Sequence, residues 1–134
     1  MYLIDANVFV EILDERANVT TACNLLSKVE KREIEAITTG FAIHSVELYF
    51  LRHGKNKELS NFLHYLATLD NLYVYHTLLT DELKIIQLIG KTGLDFDDAI
   101  QYYAAKLFDA EAIISFDKDF DGLDIPRKEP TDII

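Results

Sequence analysis

The sequence predicts a three-layer α/β/α fold with a central, mainly parallel β-sheet. Short runs of apolar residues alternate along the chain with longer segments in which apolar residues recur every third or fourth position. The short runs are typical of buried strands and the longer segments of amphipathic helices, and their alternation favours a parallel sheet with helices on both faces. Since no repeat or linker divides the 134 residues, we expect a single domain over residues 1–134.

Four strands are predicted where β-branched, aliphatic and aromatic residues cluster in short runs. The first ends just before Asp5, and the last ends at Ser115. One short edge strand is also expected in the otherwise irregular tail after Gly122. The four stronger predictions cover residues 2–4, 34–38, 72–75 and 112–114.

Helices are predicted between these strands from apolar spacing and from residues that favour helix ends. A helix over residues 41–53 is expected to end at Gly54, because glycine readily follows the last turn of a helix. Asn18, Thr80 and Asp97 are the expected N-caps of three other helices. Apolar stripes at helical spacing occur over residues 8–13, 22–29, 59–66, 83–89 and 100–107.

The formal net charge of -10 argues against a protein that coats nucleic acids, which would need a basic face. It is compatible with carboxylates that surround a divalent cation, and equally with the ordinary solubility of an acidic protein. No apolar run approaches the roughly 18 residues of a membrane span, and the N-terminus lacks the basic segment of a secretory signal. The single cysteine, Cys23, excludes an internal disulfide. We therefore expect a cytoplasmic protein with no membrane partner.

Acidic side chains follow two of the predicted strands. Asp5 directly follows the first strand, and Asp117 follows the fourth after two intervening residues. Ligands of open parallel sheets bind beyond the carboxyl ends of the strands, so we expect both carboxylates at the same edge. Asp98 falls in the first turn of a predicted helix, where the helix dipole and free amides tolerate a carboxylate. It can point toward the same edge.

Glu47 is predicted on a helix face that also carries Ile43, Phe50 and Leu51. That face should be apolar, and an ionised carboxylate there is costly unless it is paired or binds a metal. The alternative is a glutamate at the edge of the apolar stripe with its head group in solvent. The three other candidate acids favour the metal-binding interpretation.

Four convergent carboxylates would suit Mg²⁺ or Mn²⁺, which prefer oxygen ligands. Such an ion lowers the pKa of a bound water and stabilises charge that develops on a phosphoryl group, which is the chemistry of phosphodiester hydrolysis. The sequence contains neither a glycine-rich phosphate loop nor a nucleophile elbow. Asp119 could replace or assist Asp117, and its alternative interpretation is a solvated acid in a turn.

These segments together resemble the PIN domain family, and the resemblance covers essentially the whole chain. The family's opening motif resembles residues 3–8, LIDANV, and its helical Glu motif resembles residues 45–48, SVEL. Its third acid resembles the segment 96–100, FDDAI, and its last resembles 113–120, IISFDKDF. Ala6 stands where many members carry a small hydroxyl residue, which removes one possible hydrogen bond but no ligand.

The resemblance implies a Mg²⁺- or Mn²⁺-dependent endoribonuclease that acts on RNA, often as a homodimer. Many small members are toxins of the VapC type with an antitoxin partner. The family's third acid usually precedes an alanine, so Asp98 is assigned as a ligand and the adjacent Asp97 as the helix cap. The catalytic and metal-binding residues implied are Asp5, Glu47, Asp98 and Asp117, and the supporting residues are Asn7, Ser115 and Asp119.

Three rival interpretations fit the same residues less well. Residues 117–122 begin like an EF-hand calcium loop, but the twelfth position is Lys128 rather than a glutamate. The segment around Asp5 also resembles the opening of aspartyl-phosphate phosphatases, which usually need a second aspartate where this chain has Asn7. A catalytically silent PIN-like RNA-binding or scaffold protein is the alternative from another functional class.

Overall fold

A computed structural model describes residues 1–133 of the protein. Its strands are β1 (Tyr2–Ile4), β2 (Ala36–Thr39), β3 (Leu72–Tyr75), β4 (Ile113–Ile114) and β5 (Arg127–Lys128). Its α-helices are α1 (Ala6–Leu13), α2 (Val19–Glu30), α3 (Gly40–Arg52), α4 (Asn56–Ala67), α5 (Leu79–Thr92) and α6 (Phe96–Leu107). Two single-turn 3₁₀ helices cover Lys118–Phe120 and Pro130–Asp132.

The five strands form one sheet in the order β3-β2-β1-β4-β5, and every neighbouring pair is parallel. Strand β1 is central, with Leu3 paired to Ile37 on one side and to Ile113 on the other. The predicted parallel sheet between helical layers is confirmed, and β5 is the short edge strand expected in the tail. All five carboxyl ends therefore lie at one edge of the sheet.

The alternation of side chains along the strands builds two separate apolar cores. Ile4 and Ile114 point to a core that they share with α1, α2, α3 and α4. Leu3 and Ile113, one residue earlier in the same strands, point to a second core with α5 and α6. All four side chains are fully buried. Because both faces of the sheet are covered, the only part of the central strands that can reach a ligand is their end.

Two helices begin at residues other than those expected from the sequence. Helix α5 begins after Leu78, whose amide donates to the Asp81 carboxylate at 2.8 Å, so Thr80 is not its cap. The N-cap of α6 is Asp95, which accepts a hydrogen bond of 3.0 Å from the amide of Asp98. Asp97 is therefore an exposed residue of the first turn and not the predicted cap.

Several large apolar side chains stay in contact with solvent. On α5, the exposed fractions are 85% for Leu79, 68% for Leu83 and 59% for Ile86. Their spacing places them on one face of the helix, so α5 carries an uncovered apolar stripe. Within residues 1–133, no helix combines the length and the apolar character needed to span a bilayer.

Candidate metal centre

Asp5 anchors the candidate site at the carboxyl end of β1. It is 8% exposed and also caps α1, because its Oδ1 accepts a hydrogen bond of 2.8 Å from the amide of Ala6. The same oxygen accepts a bond of 3.1 Å from Gln101, and Oδ2 accepts one of 2.7 Å from Ser115. Burial raises the pKa of Asp5, and these hydrogen bonds work in the opposite direction. The position of the carboxylate is therefore fixed by three donors from different elements.

Ser115 joins Asp5 to the loop that follows β4. Its Oγ accepts hydrogen bonds of 3.0 Å from the side-chain amide of Asn7 and from the backbone amide of Asp117. Asn7 Oδ1 in turn accepts a bond of 3.3 Å from the amide of Phe116. These contacts link the two loops that carry Asp5 and Asp117. They are the contacts that the supporting roles of Asn7 and Ser115 require, and the effect of these residues on activity stays a prediction.

Three carboxylates meet beside this network. Asp98, Asp117 and Asp119 each offer an oxygen, and these oxygens all lie within 4.8 Å of one another. Asp98 is buried in the first turn of α6, whereas Asp117 caps the 3₁₀ turn after β4 by accepting a bond of 2.9 Å from the amide of Asp119. Two elements distant in the chain thus converge on one point.

The electrostatics of this group favour a cation. The pKa of Asp98 is raised to about 7, first by burial and then by the nearby carboxylates of Asp95, Asp117, Asp5 and Asp119. A divalent ion between the carboxylates would offset this repulsion. All three donors of the close group are hard carboxylate oxygens, which suit Mg²⁺ or Mn²⁺ better than a softer metal. The residues present therefore fit the ion that the sequence analysis implies.

A cleft of about 190 Å³ opens onto these acids at the carboxyl edge of the sheet. Asp5, Asp98 and Asp117 line one part of it, and Phe41 and Ser45 of α3 line another. Such a volume admits an ion with a few waters, given that one water occupies about 30 Å³ in the liquid. The remaining lining residues are Ala6, Asn7, Ala42, Asp97 and Gln101.

The structure does not bring Glu47 to this cleft. Glu47 lines a different depression, between α3 and α4, together with Leu51 and Leu59. Ser45 is among the residues of α3 that line the cleft. Glu47 follows it by two positions and therefore projects about 200° away around the helix axis, at 3.6 residues per turn. The expected convergence of four acids is therefore corrected: Asp5, Asp98 and Asp117 converge, Asp119 joins them, and Glu47 does not.

Gln101 is a residue of the site that the sequence analysis missed. It is 2% exposed and bridges two groups, since its Nε2 donates to Asp5 and its Oε1 accepts a bond of 2.5 Å from Thr39. Its place three residues after Asp98, on a helix surface rich in alanine and isoleucine, was the available signal. Asp95 was also missed, although an aspartate three residues before another acid is a common start of a helix.

Arg127 of β5 holds the acidic loop from outside the cleft. Its Nη1 donates to the carbonyl oxygen of Ser115 at 3.0 Å, and its Nε donates to Asp121 Oδ1 at 2.7 Å. The arginine thus contacts the loop on both sides of Asp117 and Asp119. The position of these two carboxylates depends on the edge strand as well as on the central strands.

Two solved structures share this fold at low sequence identity. A toxin–antitoxin complex from Klebsiella pneumoniae is 16% identical with a TM-score of 0.74, over 97% of this chain and 98% of that one. VapC20 of Mycobacterium tuberculosis, a toxin that cleaves the sarcin–ricin loop, is 13% identical with a TM-score of 0.77, over 93% of this chain and 96% of that one. At such identities the likeness shows the fold alone. No curated protein matches the sequence at a significant level.

The sequence itself carries the family signature. Residues 2–126 match the PIN domain profile, which includes every residue of the cleft and all strands except β5. The motif resemblance noted from the sequence is thereby confirmed. The chain belongs to the PIN domain family.

Proposed function

We propose that this protein is a cytoplasmic, divalent-metal-dependent endoribonuclease that hydrolyses RNA phosphodiester bonds. The observation that carries the proposal is the group of three carboxylates, Asp98, Asp117 and Asp119, within 4.8 Å of one another beside the buried Asp5. Membership of the PIN domain family and the likeness to the two solved structures support it. A silent RNA-binding protein would have no need to hold several like charges together at this energetic cost.

Asp98, Asp117 and Asp119 would hold Mg²⁺ or Mn²⁺, with Asp5 as the fourth carboxylate of the site. When bound, the ion would lower the pKa of a water and stabilise charge on the phosphoryl group. Glu47 has no part in this proposal, because it lies in another depression. The acids that would hold the ion come from three places in the chain: the end of β1, the start of α6 and the loop after β4.

Hydrogen bonds from neighbouring residues would orient the Asp5 carboxylate toward the ion. An ionised carboxylate has about four lone-pair sites, and three are used by Ala6, Gln101 and Ser115. Oδ1 accepts two of these bonds and Oδ2 accepts one. One lone pair of Oδ2 is thus left for the ion or for a water bound to it. This arrangement explains why Asp5 can be buried and still take part in the site.

The toxin role and the antitoxin partner are proposed from the likeness to the two solved structures. The homodimer is proposed from the uncovered stripe on α5, where Leu79, Leu83 and Ile86 expose more than half of their surfaces. Apolar stripes of this kind commonly mark interfaces, and a two-fold interface would cover the same stripe on both copies.

The proposal is tested by cleavage of end-labelled RNA with Mn²⁺, Mg²⁺ or a chelator. A pool of single strands of varied sequence covers the unknown target. We expect cleavage by the wild type with either metal, loss of cleavage with the chelator, and at least about a 100-fold loss in Asp5→Asn and Asp117→Asn. Glu47→Gln, a matched change outside the cleft, should cleave like the wild type.

Calorimetric titration with Mn²⁺, combined with the cleavage assay and a measurement of RNA binding, separates the two candidate functions. Metal binding without cleavage of any RNA in the pool, together with retained RNA binding, would favour the silent binding protein. Cleavage that persists in Asp117→Asn would contradict the proposed site. Absence of Mn²⁺ binding to the folded wild type would contradict the metal centre itself.

A further inference from the structure

One phenylalanine ring lines the acidic cleft, and a second ring packs against the first. Phe41, the second residue of α3, lines the cleft, and its ring centroid lies 5.7 Å from that of Phe96, the first residue of α6. The ring planes meet at 75°, an edge-to-face contact. Phe96 and Asp98 both belong to the first turn of α6, and Phe96 reaches the side of the cleft through its contact with Phe41. An aromatic pair is thus built next to the carboxylates.

The two rings differ in how they are held. Phe41 packs against the core cluster that includes Ile37 and Ile100, which fixes its ring. Phe96 is 36% exposed. Phenylalanine is among the residues most often fully buried in proteins. One anchored ring beside one accessible ring gives a rigid aromatic surface with part of it open to a ligand.

The negative charge of the cleft disfavours phosphate binding, and an aromatic surface can bind RNA without contacting a phosphate. Asp5, Asp98 and Asp117 line the cleft, Asp97 lies at its edge, and the chain has a formal net charge of -10. An RNA backbone is repelled by these groups wherever a metal does not offset them. A nucleobase is uncharged, and stacking on an aromatic ring attracts it without any cost from the carboxylates. Affinity near the acids is therefore easier to obtain through a base than through a phosphate.

We propose that Phe96, supported by Phe41, stacks on one unpaired base of the RNA next to the phosphate at the metal centre. The inference rests on the proposed ribonuclease function and adds to it one residue that contacts the RNA beside the metal centre. A paired base has both faces covered by its neighbours and cannot stack in this way. Phe96 is a positioning residue in this scheme, because it contacts the substrate away from the reacting atoms.

The absence of tryptophan from the chain makes the contact directly measurable. Phe96→Trp introduces a single tryptophan, which can be excited apart from the seven tyrosines and whose emission is quenched when a base stacks on it. The probes are a short single-stranded RNA, the same strand in a duplex, and the same strand with abasic sugars, each with Mg²⁺. We expect strong quenching by the single strand and little by the other two. Equal quenching by the abasic strand, or none by any strand, would overturn the inference.

Cleavage kinetics give a second readout. Phe96→Leu should raise KM for single-stranded RNA by about 5- to 10-fold and leave kcat within about twofold, since a stacked base contributes binding rather than chemistry. The matched control is Phe108→Leu, which changes another accessible phenylalanine, 39% exposed, at the far end of α6. It should leave KM unchanged. An unaltered KM in Phe96→Leu would also overturn the inference.

The two proposals fail in different ways. Wild-type cleavage with an unquenched Phe96→Trp variant removes the stacking contact and leaves the ribonuclease in place. Base-dependent quenching by a protein that cleaves no RNA supports the contact and removes the ribonuclease.

Discussion

Ser115 Oγ lies 2.7 Å from Asp5 Oδ2 and donates a hydrogen bond that joins residues 110 positions apart. The contact exists because β1 and β4 are adjacent and parallel, so that both strands end at the same edge. Ser115 is fully buried and Asp5 is nearly so. The bond therefore couples the stability of the sheet to the shape of the acidic site.

Ser115→Ala should lower the free energy of unfolding by about 1–3 kcal/mol, because a buried carboxylate loses one of its three donors. Denaturant unfolding of the metal-free protein measures this change. Ser45→Ala is the matched control, since the Ser45 hydroxyl donates only within its own helix, to the carbonyl of Phe41 at 2.9 Å. Similar losses in both variants would contradict the special role of Ser115.

Asp98 should make the metal-free protein less stable as the pH rises. Its pKa is raised to about 7 in the fold, against about 3.9 in an unfolded chain, so ionisation opposes folding. The contribution is favourable below about pH 4 and is lost as the pH passes 7. We expect a loss of roughly 1–2 kcal/mol, less than the full shift implies, since solvent screens part of the repulsion.

Thermal unfolding across this pH range, with and without Mn²⁺, tests that expectation. Asp98→Asn should flatten the pH dependence of the metal-free protein, and Mn²⁺ should stabilise the wild type more at pH 8 than at pH 5. Asp109→Asn is the control, because Asp109 is exposed near the end of α6 and its positive φ of 54° suits asparagine. Equal pH profiles for the wild type and Asp98→Asn would refute the assignment.

Asp119 should matter more for metal binding than Glu47. Asp119→Asn removes a carboxylate from the close group and should weaken Mn²⁺ binding by at least about tenfold. Glu47→Gln should leave the affinity within about twofold, because the side chain faces α4. Isothermal titration of both variants decides the matter, and the reverse order of affinities would show that α3 turns its other face to the cleft.

Gln101→Leu should disorder Asp5 and lower activity. The change removes the amide that donates to Asp5 and the oxygen that accepts from Thr39, so we expect about 10- to 100-fold slower cleavage. The free energy of unfolding should fall by about 1–3 kcal/mol. Gln87→Leu, on the exposed side of α5, should change neither quantity appreciably. Full activity in Gln101→Leu would show that Asp5 needs no such support.

Leu83→Lys should convert a homodimer into a monomer, because it places a charge in the middle of the apolar stripe on α5. Sedimentation velocity over a range of concentrations measures the change. Thr131→Lys adds the same charge at an exposed position outside α5 and should remain dimeric. A monomeric wild type at all concentrations would contradict the proposed dimer.

The sheet and half of the site follow from local patterns in the sequence. Short apolar runs marked β1 and β4, and the parallel arrangement placed Asp5 and Asp117 at the same edge. The acids at the start of α6 could also be predicted from the sequence, but Asp95 and Asp97 are equally suited to cap the helix. The choice between them depends on where the chain turns after Gly93, whose positive φ of 72° ends α5. Composition at neighbouring positions does not reveal that turn.

The orientation of α3 could not be obtained in this way. Apolar residues lie on several of its faces, and Leu48 and Leu51 are about half exposed whereas Val46 and Phe50 are buried. The contact with α4 decides which face turns to the cleft, and that contact is tertiary. For this reason the sequence supports Glu47 as readily as Ser45. Gln101 was missed for a related reason, since its partners, Asp5 and Thr39, come from distant strands.

The clamp formed by Arg127 has a consequence for how variants of this protein are interpreted. Arg127 bonds to none of the carboxylates proposed to bind the metal, yet it secures the loop between Ser115 and Asp121 from the edge strand. Loss of the Arg127 side chain would leave this loop mobile and would lower activity in the same way as the loss of a metal-binding carboxylate. A mutagenesis study that measures only activity would therefore misassign Arg127 as a metal ligand. Excess Mn²⁺ should restore activity to an Arg127 variant but not to a variant that lacks a metal-binding carboxylate.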